Sequence, residues 1–221
     1  MDQVKRKERE DRITAAAEKV FARDGFQLAK MSDIAVEAGM TKVTLYSYFQ
    51  SKENLYLAII YKAFQSLTEI FYNTIGNHQS STGLEATIAI FDSFFDFCEQ
   101  NFLYSEAILD YFSMIRGISR SADGGGAPSL QNNIYFVKIQ DLQNLPIKLT
   151  IKEITRGQGD GSIADHIDPM LHTIQGWTMV VGYIKLLIAS GQNDLPLFDV
   201  NLKSLRSLSL NLAKKALQGL G

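Results

Sequence analysis

The stretch SDIAVEAGMTKVTLYSYFQSK, residues 32–52, decides how the rest of the chain is read. In its first part Ile34, Ala35 and Ala38 share one face at helical spacing. Gly39-Met40-Thr41 then breaks the pattern: Gly39 can take the left-handed conformation that ends a helix, and the Thr41 hydroxyl can cap the next one. In the second part, Lys42 to Phe49, Leu45 and Phe49 stand one turn apart and point inward. That leaves Lys42, Val43, Thr44, Ser47 and Tyr48 facing out, with Tyr46 at the flank. Two short helices joined by a Gly-containing turn make a helix-turn-helix when the second can enter the DNA major groove. Here Lys42 has the reach for guanine O6 and N7, and Val43 and the Thr44 methyl can touch a thymine methyl. The hydroxyls of Thr44, Tyr46 and Tyr48 suit phosphate oxygens. Ser51 caps a fourth helix whose first turn carries Lys52, at a positive dipole end that attracts phosphate.

Working outward, Ile13, Ala16, Ala17, Val20 and Phe21 form the apolar stripe of a first helix ending near Asp24-Gly25. Leu55, Ile59, Phe64, Leu67 and Phe71 line the inner side of a long fourth helix. Further helical patterns cover about Leu84–Gln100 and Tyr104–Ile118, then run from near Ser129 to Arg156 with a bend or break at Pro146. The last two cover about Asp165–Ala189 and Asp199–Gln218. Loops are expected at Ser121–Pro128, Gly157–Gly161 and Gly191–Pro196. The predicted fold class is all-α, about nine helices, with the long ones in an antiparallel bundle. The expected organisation is a DNA-binding domain over residues 9–69, its motif at about 32–51, followed by an effector-binding and dimerisation domain over residues 70–221.

Charge agrees with this division. The net charge of −2 averages unlike parts: Met1 to Lys62 holds eleven Lys and Arg against nine Asp and Glu, and the remainder eleven against fifteen. The positive side thus lies with the motif. One cysteine, Cys98, excludes an intramolecular disulfide and a thiolate zinc cluster. Met1 to Arg12 has no apolar run and is not a signal peptide, and Trp177–Ala189 is too short to span a membrane; a cytoplasmic protein without cofactor is expected. His78, His166 and His172 lack one-turn spacing, and Asp92, Asp96 and Glu99 read as a charged helix face, so no metal site and no enzyme is expected. Lys5, Arg6, Lys7, Arg9 and Arg12 allow either a DNA-backbone arm or a solvated helix start; the interleaved acids favour the second.

The residues Ile13–Phe21, Gly25-Phe26, Ser32–Ala35, Ala38-Gly39, Thr44–Tyr46, Tyr48-Phe49 and Ser51–Leu55 resemble the TetR family of bacterial transcriptional regulators, in register over about fifty positions. The resemblance implies a homodimer, a palindromic operator and a C-terminal domain that binds a small effector. It places DNA contacts at Ser32, Thr41, Lys42, Val43, Thr44, Tyr46, Tyr48 and Lys52. Three positions depart from the family. Lys30 stands where Thr or Ser is usual, so that Ser32 is expected to cap the second helix. Val43 replaces a common glycine, and Tyr48 a frequent histidine. The last two change the operator surface.

In the second domain the aromatic residues of the fifth and sixth helices read first as core. A subset can line a cavity for a hydrophobic effector: Phe91, Phe95 and Cys98, with Tyr111 and Ile115 from the next helix and Phe64, Val137, Gln140, Gln175 and Trp177 from neighbours. The helix ending at Ala189 is apolar on more than one face, and Leu205, Ser209, Leu212, Ala213 and Ala216 make a seam on the final helix. Two such pairs would form an intersubunit four-helix bundle.

Overall fold

The computed structural model describes residues 3–120, 132–189 and 201–220, all helix, turn or coil. The helix α1, Gln3–Leu28, buries Ile13, Ala16, Ala17, Val20 and Phe21, and its regular path is interrupted at Gly25 (φ 71°, ψ 162°). A short helix α2, Met31–Glu37, follows without a side-chain cap. Ser32 lies inside it and its hydroxyl donates to Asp33 at 3.2 Å, so the expected Ser32 cap does not form. Gly39 (φ 63°) turns the chain into α3, Lys42–Tyr48. The Thr41 hydroxyl accepts the Thr44 N–H at 3.2 Å, the cap anticipated from sequence. Ser51 Oγ likewise accepts the Asn54 N–H at the start of α4, Lys52–Asn77.

The remaining helices are α5 (Gly83–Gln100), α6 (Phe102–Arg120), α7 (Ile134–Leu142), α8 (Leu145–Gly159), α9 (Pro169–Ala189) and α10 (Leu202–Leu217). The break expected at Pro146 comes just ahead of it, which seats the proline in the first turn of α8, where a missing N–H costs nothing. The loop expected from Gly157 is instead helix as far as Gly159. α9 starts at Pro169, later than Asp165, with the Asp168 carboxylate accepting the Leu171 N–H at 2.9 Å. The expected loops at 121–128 and 191–196 lie outside the described residues, as do the expected helix starts at 129 and 199.

The helices gather into two compact units, one with α1–α3, α4 as far as Phe64, α6 and α7, the other with the rest of α4, α5 and α8–α10. The first is centred on Ile13, Ala17, Phe21, Ile34, Leu45, Leu55 and Ile59, all essentially without exposure. Polar ties join its helices: the Tyr56 hydroxyl donates to Asp110 at 2.8 Å, and Glu18 accepts from Tyr104 at 2.7 Å and from Lys62.

In the second unit α5 and α8 cross at their glycines. A Cβ on Gly83 would lie 2.1 Å from the Gly157 nitrogen, so neither position has room for a side chain. The Asp160 carboxylate accepts the Gly83 N–H at 2.7 Å and the Ser162 N–H at 3.0 Å. These bonds, with the Ser162 hydroxyl, hold its pKa below the usual carboxylate range. Around the crossing lie Leu84, Ile154, Ile163, Ile167 and Leu217. Farther along, Phe94 packs 4.9 Å from Trp177 and Phe95 edge-on against Tyr183. Asp92, Asp96 and Glu99 form a charged helix face, as expected, and all three pair with Arg206 of α10.

Candidate nucleic-acid interface

The geometry of residues 32–52 follows from which side of α3 is buried. Leu45 is 0% and Phe49 3% exposed, whereas Val43 is 82% and Tyr46 47% exposed. Thr41, Lys42 and Ser47 are also exposed; Thr44, Tyr48 and Ser32 are partly covered. The outer side of α3 is therefore a Lys-Val-Thr face turned to solvent. Its hydroxyls are partly committed: those of Thr41 and Thr44 lie 2.9 Å apart, and Ser47 donates to the Thr44 carbonyl at 2.7 Å. Their remaining lone pairs still accept hydrogen bonds.

Lys52 is not placed as the expected phosphate contact. Its ammonium donates to the carbonyls of Phe26 (2.6 Å), Gln27 (3.1 Å) and Ala29 (3.1 Å), and lies 4.6 Å from the Phe26 ring centre. An ammonium has three protons. All three are directed at the carbonyls where α1 ends, which a cation stabilises, so Lys52 is a brace for the domain rather than a free phosphate ligand.

Arg12 is the residue that sequence reasoning missed in this role. Its guanidinium donates through Nε to the Ala38 carbonyl at 2.9 Å and through Nη2 to the Ala38 and Gly39 carbonyls. It closes the open end of α2 and holds the turn that aims α3. A Cβ on Gly39 would meet Arg12 Nη2 at 2.8 Å, so glycine there serves both the positive φ and the clamp. No signal in the local sequence links residue 12 to residue 38.

The ten effector candidates divide between the units. In the first, Phe64 and Tyr111 meet edge-on at 5.6 Å, both fully buried, with Ile115 partly covered. Val137 is 48% exposed and Gln140 is exposed, because α7 turns Phe136 and Ile139 inward instead. In the second unit, Phe91, Phe95, Cys98 and Trp177 are buried, and Phe91 lies against Gly176, where a Cβ would come within 2.2 Å of its ring. Gln175 is exposed. Val137, Gln140 and Gln175 thus leave the set of interior lining residues. Buried polar atoms without a hydrogen-bond partner among the described residues include Tyr111 Oη in the first unit, and Thr173 Oγ1 and Trp177 Nε1, one turn apart, in the second. Among the described residues no group of three metal-binding side chains is found, and no helix is long and apolar enough to cross a membrane.

A short exposed helix, fixed from behind by Leu45 and Phe49 and aimed by a clamped glycine turn, defines a helix-turn-helix DNA-binding domain. Residues 13–59, which hold this motif, match the profile of bacterial regulatory proteins, tetR family. The chain is 35% identical over 100 residues to the HTH-type transcriptional activator FasR of Mycolicibacterium smegmatis, covering 43% of each. It spans less than half the length of the curated relatives it matches. The fold is similar to FadR from Bacillus subtilis in complex with stearoyl-CoA, with TM-score 0.65, 18% identity, and 95% and 98% of the two chains covered. It is also similar to AibR in complex with isovaleryl coenzyme A and operator DNA, with TM-score 0.61, 16% identity, and 92% and 97% covered.

Proposed function

We propose that the protein is a dimeric, cytoplasmic transcriptional regulator that represses by occupying a palindromic operator and is released by a small effector with an apolar body. Residues 9–69 bind DNA; residues 70–221 bind the effector and the second copy, and the chain binds rather than catalyses. The observation that carries this reading is the exposed outer side of α3, with Lys42 and Val43 facing out over a buried Leu45 and Phe49. In a dimer two such helices must stand about 34–36 Å apart to reach successive major grooves. An effector weakens DNA binding only by preferring a conformation with another separation, and such couplings amount to about 1–3 kcal/mol. Buried aromatic side chains and unpartnered donors such as Trp177 Nε1 support an apolar effector with an acceptor group. The acyl thioesters held by FadR and AibR support the same class.

Selection of bound fragments from random DNA with the purified protein tests the reading. The expected product is an inverted repeat, and Lys42→Ala is expected to lose discrimination at one position per half-site, at a cost of about 1–3 kcal/mol. Absence of sequence-selective, salt-sensitive retention would overturn it. The activator FasR favours the opposite regulatory sign; a reporter downstream of the selected operator distinguishes the two, since repression requires output to rise when the protein is removed.

A further inference from the structure

The N-terminal run Lys5-Arg6-Lys7-Glu8-Arg9-Glu10-Asp11-Arg12 mixes signs along the sequence, and for that reason reads as a solvated helix start. Helix formation changes this. At 3.6 residues per turn, Lys5, Arg6, Arg9 and Arg12 share an arc of about 120°, whereas Lys7 and Asp11 fall well outside it and Glu8 and Glu10 border its two ends. The structure turns the basic arc toward the helix-turn-helix. Arg12 grips the α2–α3 turn, Arg9 Nη1 lies 3.4 Å from the Tyr48 hydroxyl, and the Arg6 guanidinium sits 5.9 Å from the Tyr48 ring centre. Arg6, Arg9, Val43, Thr44, Ser47 and Tyr48 together line one open concavity of about 380 Å³.

We propose that the first two turns of α1 are a second DNA-contacting element, in which Arg6 and Arg9 bind backbone phosphates beside the groove that α3 enters. This rests on the DNA-binding reading above and adds two residues to the face that α3 presents. Tyr48 is the positioning residue: its ring and hydroxyl hold two long, flexible side chains on the same side as Val43 and Thr44, which lowers the entropy cost of docking. A guanidinium offers two parallel N–H donors to a phosphate, and Arg9 has donors left beyond its Tyr48 contact. Arg6 also pairs with Glu10 at 3.0 Å, with the arginine side chain 57% exposed. An exposed pair of this kind contributes little, so a phosphate can displace the carboxylate.

The test is the salt dependence of binding to a random-sequence duplex, which requires no knowledge of the operator. Removing one phosphate-binding cation lowers the slope of log K against log salt by about 0.9, so Arg6→Ala/Arg9→Ala is expected to lower it by about 1.8 per protomer. Arg6→Lys/Arg9→Lys keeps most of the slope. Lys7→Ala, which removes a charge outside the arc, leaves it near the wild-type value. Thermal melts establish that the variants remain folded, as exposed positions allow. A double-alanine slope equal to that of wild type or of Lys7→Ala overturns the arm while leaving the recognition role of α3 in place. Failure of the wild-type protein to bind any duplex overturns both.

Discussion

Lys52 and Tyr111 show how the same side-chain chemistry takes a different role once its surroundings are known. Lys52 stands at a helix start that attracts phosphate, yet its ammonium completes the carbonyls of Phe26, Gln27 and Ala29. Lys52→Ala is therefore expected to lower unfolding stability by about 1–3 kcal/mol in urea titrations, the range for hydrogen bonds to a charged donor, while the salt slope of DNA binding stays as in wild type. Tyr111 is fully buried and its hydroxyl has no partner among the described residues. Burial pushes its pKa up from the usual 10 to about 12. With the folded value raised, the neutral phenol's contribution is complete below about pH 10 and is lost as pH rises toward 12. Tyr111→Phe is expected to leave stability at pH 7 unchanged or slightly higher and to flatten the alkaline decline; a drop above about 1 kcal/mol at pH 7 would mean the hydroxyl is bonded.

At the scale of the element, α3 is seven residues long, too short to be stable in isolation. Its conformation comes from Thr41 at its start, Leu45 and Phe49 beneath it, and the Arg12 clamp on the turn before it. The Lys42–Phe49 segment and its cap were legible in the sequence because capping and periodicity are local properties. The clamp was not, because it joins residues 26 apart in the chain. The α5–α8 crossing makes the same distinction. Gly157 reads as loop-forming beside Gly159 and Gly161, but it is helical because two backbones touch there. Gly83→Ala is expected to force α5 and α8 apart at a cost of about 1–3 kcal/mol or more, seen as a lowered urea midpoint. A neutral outcome would mean that the crossing relaxes freely.

For the whole molecule, the proposed joining of two copies turns on which apolar rows face outward. Of the seam read from sequence on the final helix, Leu205, Ser209 and Ala216 are half-buried, Ala213 is 3% exposed and Leu212 54%; Leu208, one turn before Leu212, is 55% exposed. Leu212 is thus the seam residue turned most fully outward, and Leu208 extends it. On α9 the exposed large apolar residues are Met170, Leu171 and Ile174. Apolar side chains in rows on two adjacent helices favour burial against a second copy. Leu208→Glu/Leu212→Glu is expected to halve the mass measured by light scattering and to weaken operator binding by about 10²-fold or more, as the second half-site loses its tether. An unchanged mass would place the dimer contact elsewhere.

Helical periodicity alone was enough to mark an all-α chain, the two short helices around Gly39, and the inward pair Leu45 and Phe49, because burial repeats every turn and leaves its trace in neighbouring residues. Which helix each buried face meets has no such trace. The partners of Arg12 and Lys52, the basic arc of α1 beside Tyr48, the outward turn of Val137 and Gln140, and the burial of Ala213 on α10 all depend on contacts between residues far apart in the chain. A helix's period sets the spacing of its faces but not their phase against a neighbour, and only packing chooses that phase.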